Sequence, residues 1–249
     1  MMTNEECETL KKENENLKNN NAAKSDLISV SAHQLRTSLS ALKWILKMLL
    51  NKDAGEISAE QEGLLERSYK SNERMITLVN NMLTLSHIED AAIKFNKTDT
   101  DIVSLIEETL FEFFGESHQK SIEIIFLKPE KPISNIVCDK EMIRVVLQNL
   151  TENAIKYSKE GDKIFCSVRE NGDNIEFSIR DAGIGIPAID QPNIFNKFFR
   201  APNAKEKDII GSGLGLYTVK YIVDQHNGKV WFESNTKGTT FFVVLPLKD

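Results

Sequence analysis

Gln148-Asn149-Leu150-Thr151-Glu152-Asn153-Ala154-Ile155-Lys156-Tyr157-Ser158 is the stretch on which the reading of this chain turns. It closes a segment, residues 141–157, whose apolar side chains recur with a helical period. Asn149 and Asn153 are spaced i, i+4, so their amides share one face of that helix. Asparagines at this spacing also occur on ordinary solvated helices, so the flanking sequence has to decide.

Upstream, Ile102, Leu105, Ile106, Leu110 and Phe113 mark an amphipathic helix, followed by strand-like runs at 121–127 and 133–138. Downstream, strands at 163–169 and 174–180 flank a turn at Asn171-Gly172. The polar, proline-containing stretch 187–210 reads as a mobile loop. A helix over 214–226 and paired strands at 229–234 and 239–245 complete this half. Helices and hairpins mix without regular βαβ alternation, which predicts an α+β fold over residues 98–249.

The other half has a different texture. Cys7, Leu10, Asn14, Leu17 and Asn21 alternate at spacings of three and four, the seam of a weak coiled coil over residues 1–24. The rhythm continues through Ile28, Ser31, Leu35, Ser38, Leu42, Ile45 and Leu49, predicting one continuous helix to about Asn51. Gly55 is the expected stop, and Ser58 with Gln61 resembles a capping box opening a second helix. That helix carries Leu65, Asn72, Ile76 and Val79 and ends near 88–91. An antiparallel hairpin over residues 25–92 with apolar stripes on both helices cannot bury them alone. A homodimer, joining two hairpins into a four-helix bundle, solves that problem.

The composition, 41% hydrophobic and 27% charged, is that of a globular protein, and the net charge of −6 argues against a nucleic-acid binder. Cys7, Cys138 and Cys166 share no ligand-like spacing and read as reduced thiols. No apolar run spans a bilayer and no signal peptide opens the chain, so a cytoplasmic placement is expected, alone or as the cytoplasmic portion of a membrane-anchored sensor.

His33 lies two residues from both Ser31 and Leu35, which turns it away from the seam and toward solvent. Its surroundings, Ser31-Ala32-His33-Gln34-Leu35-Arg36-Thr37-Ser38-Leu39, resemble the H-box of sensor histidine kinases. The resemblance implies that His33 attacks the γ-phosphate of ATP through Nε2 and passes the phosphoryl group to an aspartate on a response-regulator receiver domain. A neutral imidazole has the lone pair this needs. It further implies that Thr37, one turn beyond on the same face, positions water for dephosphorylation of the partner, and that Arg36 meets phosphate or the partner's acidic pocket. Two departures stand out. Gln34 occupies the position where an acid is commonest, leaving an uncharged acceptor for the Nδ1 proton. Ser38 replaces the usual proline, so the helix keeps a hydrogen bond that proline would break.

The 148–158 stretch resembles the N-box of the Bergerat ATP-binding fold shared by histidine kinases, Hsp90, gyrase and MutL, which implies an α/β sandwich for this half. In that fold Asn153 would offer its oxygen to Mg²⁺, Asn149 would support the phosphates, and Lys156 and Tyr157 would contact them. One neutral oxygen with phosphates and water suits Mg²⁺. Asp181-Ala182-Gly183-Ile184-Gly185-Ile186-Pro187 resembles the G1 box, with Asp181 accepting from the adenine amino group and Gly183, Gly185 and Ile186 bringing backbone to the base. Phe195-Asn196-Lys197-Phe198-Phe199-Arg200 resembles the F-box, with Lys197 and Arg200 as its cations and Arg200 reaching the γ-phosphate. Gly211-Ser212-Gly213-Leu214-Gly215-Leu216 resembles the G2 box, a glycine-rich helix start suited to phosphate. Gly238-Thr239-Thr240-Phe241 completes the set, with Thr240 as the candidate contact.

Two other readings fit parts of this pattern. A Bergerat-fold ATPase would hydrolyse ATP and need no H-box. A dimeric scaffold would bind ATP and a receiver with little transfer, a reading that Gln34 and Ser38 keep open.

Overall fold

A computed structural model describes residues 31–32, 34–89, 95–206 and 211–247. The expected coiled coil over 1–24, the seam position Ile28 and the phosphoacceptor candidate His33 lie outside the described residues. The chain divides into two units, Met1–Ile93 and Lys94–Asp249.

In the first unit, residues 34–50 form helix α1, with 31 and 32 also helical. The chain turns over 51–54, with Gly55 at a φ of +121°. Helix α2, Ala59–Glu89, opens with the reciprocal capping box: Ser58 N–H donates to Gln61 Oε1 at 2.8 Å, and Gln61 N–H donates to Ser58 Oγ at 3.2 Å. On α2 the expected positions Asn72 and Val79 face the hairpin's core, but on α1 that core is not the three-four seam. Ala32 and Val79 pack with Leu39, and Leu46 is buried as well. Leu35, Leu42 and Ile45 stay 53%, 41% and 48% exposed. Ala32, Leu39 and Leu46 follow Ser31, Ser38 and Ile45 by one residue, a rotation of about 100° on the helix. The seam is therefore a second stripe, turned away from the hairpin's internal contact. Across that contact Asn72 Nδ2 donates to the Leu39 carbonyl at 2.9 Å, and Lys43 Nζ meets Glu73 at 2.6 Å.

In the second unit, a five-stranded sheet has the order β2-β4-β5-β7-β6, where β2 is Glu123–Leu127, β4 Lys163–Asn171, β5 Asn174–Arg180, β6 Lys229–Asn235 and β7 Gly238–Pro246. Only β2 with β4 is parallel. Strands β1 (Thr98–Thr100) and β3 (Ile136–Cys138) pair antiparallel beside it. Side chains alternate along the central strands: Ile164, Cys166 and Val168 of β4, and Ile175, Phe177 and Ile179 of β5, are buried. Phe241, Val243 and Leu245 of β7 are buried in the same way. Helices α3 (Ile102–Glu112), α5 (Lys140–Tyr157) and α7 (Gly215–Gln225) supply the facing layer, through Leu105, Ile106, Val146, Leu150, Val219 and Ile222. This is the α+β sandwich expected.

Helix ends follow local chemistry. Asp101 caps α3 by accepting from the N–H groups of Val103 and Ser104 at 3.0 and 3.1 Å. Asp139 caps α5 by accepting from Met142 N–H at 3.1 Å. The Asp139 N–H donates to buried His226 Nε2 at 3.0 Å, so His226 Nδ1 carries its proton and donates to the Ile222 carbonyl at 2.8 Å. A neutral imidazole thus ties the end of α7 to the start of α5, the two helices that bear the N-box and G2 motifs. The short helix α4, Phe114–Gln119, has no periodic signal and follows α3 after a single residue, Phe113. Of the stretch expected as a loop, residues 187–206 contain a 3₁₀ turn at Gln191–Asn193 and helix α6, Pro202–Glu206, with Ile194 and Ala204 buried. Residues 207–210 lie outside the described residues.

Candidate functional site

One cavity of the second unit gathers residues from every nucleotide motif. Asn153 and Tyr157 reach it from α5, Asp181, Gly185 and Ile186 from the segment after β5, Arg200 from the segment before α6, and Leu216 from α7. Asn149 does not line it. Its Nδ2 donates to the Val145 carbonyl at 2.8 Å, and a Cβ on Gly215 would come within 2.6 Å of its Oδ1. Asn149 therefore seats the G2 helix start against α5.

Asp181 is the buried anchor. Gly183 N–H and Thr239 N–H both donate to its Oδ1, at 2.8 and 3.1 Å. Its Oδ2 keeps lone pairs for a donor on a ligand. Burial pushes its carboxyl up to about 6, against the pull of those two N–H groups. Gly183 abuts the Tyr157 carbonyl, and Gly185, at a φ of +65°, backs onto the Asn235 carbonyl where no side chain fits. Ile186 N–H donates to Ser234 Oγ at 2.8 Å, and Ser234 Oγ shares a hydrogen with Thr239 Oγ1 at 2.8 Å. The β6–β7 hairpin thus braces the loop that bears Asp181.

The cationic side of the site comes from α5 and the F-box. Burial pulls the Lys156 ammonium below the ordinary lysine range; Glu152, 3.9 Å away, opposes this and Arg200 adds to it. Burial also raises the Tyr157 phenol, with Arg200 opposing. Lys156 Nζ lies beside Gly211, 3.1 Å from where a Cβ would sit. Gly213, at a φ of +73°, packs on the backbone of Phe198 and Phe199, joining the G2 loop to the F-box. Ser212 Oγ accepts from Leu214 N–H at 3.2 Å, at the start of α7. Lys197 lies over the Tyr217 ring, 4.8 Å from its centroid, rather than among the cavity residues.

In the first unit Gln34 and Thr37 are exposed on α1, and the Gln34 carbonyl accepts from Ser38 Oγ at 3.1 Å. Arg36 is exposed on the same helix. Among the described residues no group of three or more His, Cys, Asp or Glu side chains is placed to hold a metal, and no helix is long and apolar enough to cross a membrane.

Three residues of this site were not anticipated. Thr239, not Thr240, lines the cavity and binds Asp181. Alternation along β7 could have shown this, because Thr239 and Phe241 share the inward face. Ser234 has no motif around it. Asn203 lines the cavity from α6 and donates through Nδ2 to the Gly185 carbonyl at 3.1 Å, a contact that only the fold of residues 187–206 creates.

Known proteins resemble both units. Residues 23–91 match the family model of the His Kinase A (phospho-acceptor) domain, and residues 138–249 that of the histidine kinase-, DNA gyrase B- and HSP90-like ATPase. The chain is 32% identical over 227 residues to the sensor histidine kinase WalK of Bacillus subtilis, spanning 90% of the chain and 37% of that protein. It is 31% identical to the sensor-like histidine kinase SenX3 of Mycobacterium tuberculosis, over 90% of the chain and 54% of that protein. The chain thus spans about half or less of these relatives' length. Among solved structures, full-length ShkA in complex with AMPPNP aligns with a TM-score of 0.70 at 24% identity, over 89% of this chain and 45% of that one, a likeness of fold. The catalytic domain of the histidine kinase ThkA aligns at 0.55 and 27% identity, over 61% of this chain and 97% of that one.

Proposed function

Given that the chain belongs to the sensor histidine kinases, we propose that it phosphorylates its own His33 from ATP and hands the phosphoryl group to an aspartate of a response-regulator receiver. The observation that carries this is the single cavity in which Asp181, Asn153, Tyr157 and Arg200 meet, in a chain that also bears the H-box.

The roles follow from the chemistry. Asp181 accepts from the adenine amino group through Oδ2. Lys156 and Arg200 face the phosphate chain, and Arg200 meets charge that builds as the γ-phosphoryl group leaves ADP. The Asn153 amide oxygen, with the phosphates and water, fits a Mg²⁺ better than a carboxylate cage would. Bound there, Mg²⁺ would neutralise phosphate charge. His33 Nε2 forms the new P–N bond as the bond to the β-phosphate oxygen breaks. Gln34 accepts the Nδ1 hydrogen without neutralising the resulting cation. Thr37 orients water for removal of phosphate from the receiver.

The exposed stripe Leu35, Leu42 and Ile45 supports a homodimer built through a four-helix bundle. The rival ATPase reading is separated by following the γ-phosphate. The kinase reading expects label retained on the chain, stable to base and labile to acid, and lost in Asn153→Ala. Quantitative release as free phosphate, with no retained label, would establish the ATPase instead.

A further inference from the structure

Asn203 presents an oxygen that the protein itself does not use. Its Nδ2 donates to the Gly185 carbonyl, which can only accept, so the orientation of the amide is settled. The other end, Oδ1, is buried and has no hydrogen-bond partner among the described residues. A buried acceptor without a donor is costly, and native sites rarely keep one that a ligand or water does not satisfy. Asn203 lines the same cavity as Asp181.

We propose that Asn203 Oδ1 is a second recognition atom of the nucleotide site, accepting a hydrogen from the nucleoside part of the ligand. This rests on the ATP reading above and adds a residue to it. A carbonyl oxygen repels phosphate, so its partner belongs to the donor-bearing end of the nucleotide. Asp181 Oδ2 and Asn203 Oδ1 together offer two acceptors. An adenosine carries two kinds of matching donor, the two hydrogens of its exocyclic amine and the hydroxyls of its ribose. Through Gly185 the Asn203 amide is also fixed to the loop that bears Asp181, which makes α6 a reader of the ligand and not only its cover.

The test is a binding cycle on the full chain. Dissociation constants are measured for wild type and Asn203→Ala with ATP, 2′-deoxy-ATP, 3′-deoxy-ATP and the triphosphate of purine riboside, which lacks the amine. Asn203→Ala should weaken ATP by roughly five- to tenfold. It should leave unchanged the affinity for the one analogue that lacks the donor Asn203 reads, and so identify amine or ribose. An equal loss on all four ligands would overturn the proposal, because it would mean that the amide only holds α6 to Gly185. No loss on any would overturn it too, as Oδ1 would then serve water. Failure of wild type to bind ATP would instead remove the nucleotide reading itself. Melting of the ligand-free variant within a degree or so of wild type guards against a folding defect. If it melts lower, the analogue that escapes the loss still decides the matter.

Discussion

Asp181 carries the sharpest consequence at the scale of single residues. Burial raises its carboxyl from 3.8 to about 6. The folded state therefore binds a proton that the unfolded chain has already released, and stability from this group falls as pH rises through that window. It is fully present below 3.8 and lost above about 6, a change of roughly 3 kcal/mol. Asp181→Asn keeps an acceptor for Gly183 and Thr239 but cannot ionise. Thermal melts should show the variant several degrees more stable than wild type at pH 7, with the gap closing toward pH 4. Its affinity for ATP should fall about a hundredfold. Equal melts at pH 7 would show that the carboxylate is not strained by burial. The cost of burying this anion is the counterpart of its proposed use in recognition. Asp181 was legible through the resemblance of 181–187 to the G1 box, since a carboxylate ahead of two spaced glycines is by itself a common turn sequence. Asn203 and Ser234 were not, because each acquires its role only from a partner 18 or 48 residues away, Gly185 or Ile186.

Two elements of the hairpin invite tests. In α1 the Ser38 hydroxyl donates to the Gln34 carbonyl, a carbonyl just past His33 in the chain. Ser38→Pro removes the Ser38 N–H and hydroxyl and drives a ring into that carbonyl, so it should bend the helix there. The ratio of kinase to phosphatase activity should shift; an unchanged ratio would show that bending at this point does not set it. In the contact between α1 and α2, Asn72 is buried with its Oδ1 unpartnered. Its Nδ2 bond to the Leu39 carbonyl is additional to the helix ladder, so Asn72→Leu orphans nothing and removes a buried polar atom. Melting should rise by a few degrees, reflecting a gain of about 1 kcal/mol, and a fall would show that Asn72 stabilises rather than sets register. The capping box at Ser58 was readable from four residues of sequence because it is a purely local device. Which of two adjacent stripes faces the second helix was not, since Ser31, Leu35 and Leu42 repeat as regularly as Ala32, Leu39 and Leu46. The difference lies in tertiary packing.

At the scale of the whole molecule, the two units divide the chemistry: one bears the H-box, the other the nucleotide cavity. The sandwich was legible because its strands alternate cleanly and its helices keep their own period. The short α4 and α6 were not, being too brief to show a period. The exposed stripe on α1 predicts a dimer, so Leu42→Asp with Ile45→Asp should sediment as a monomer where wild type sediments as a dimer. Persistence of the dimer would place the interface elsewhere. The proposed transfer runs from ATP to one side chain. The chain has four histidines. Peptide mapping after incubation with γ-labelled ATP and magnesium, under alkaline conditions that preserve phosphohistidine, tests it most directly. Label is expected on the peptide containing His33 alone, and none in His33→Gln. Label on another histidine, or undiminished label in His33→Gln, would contradict it.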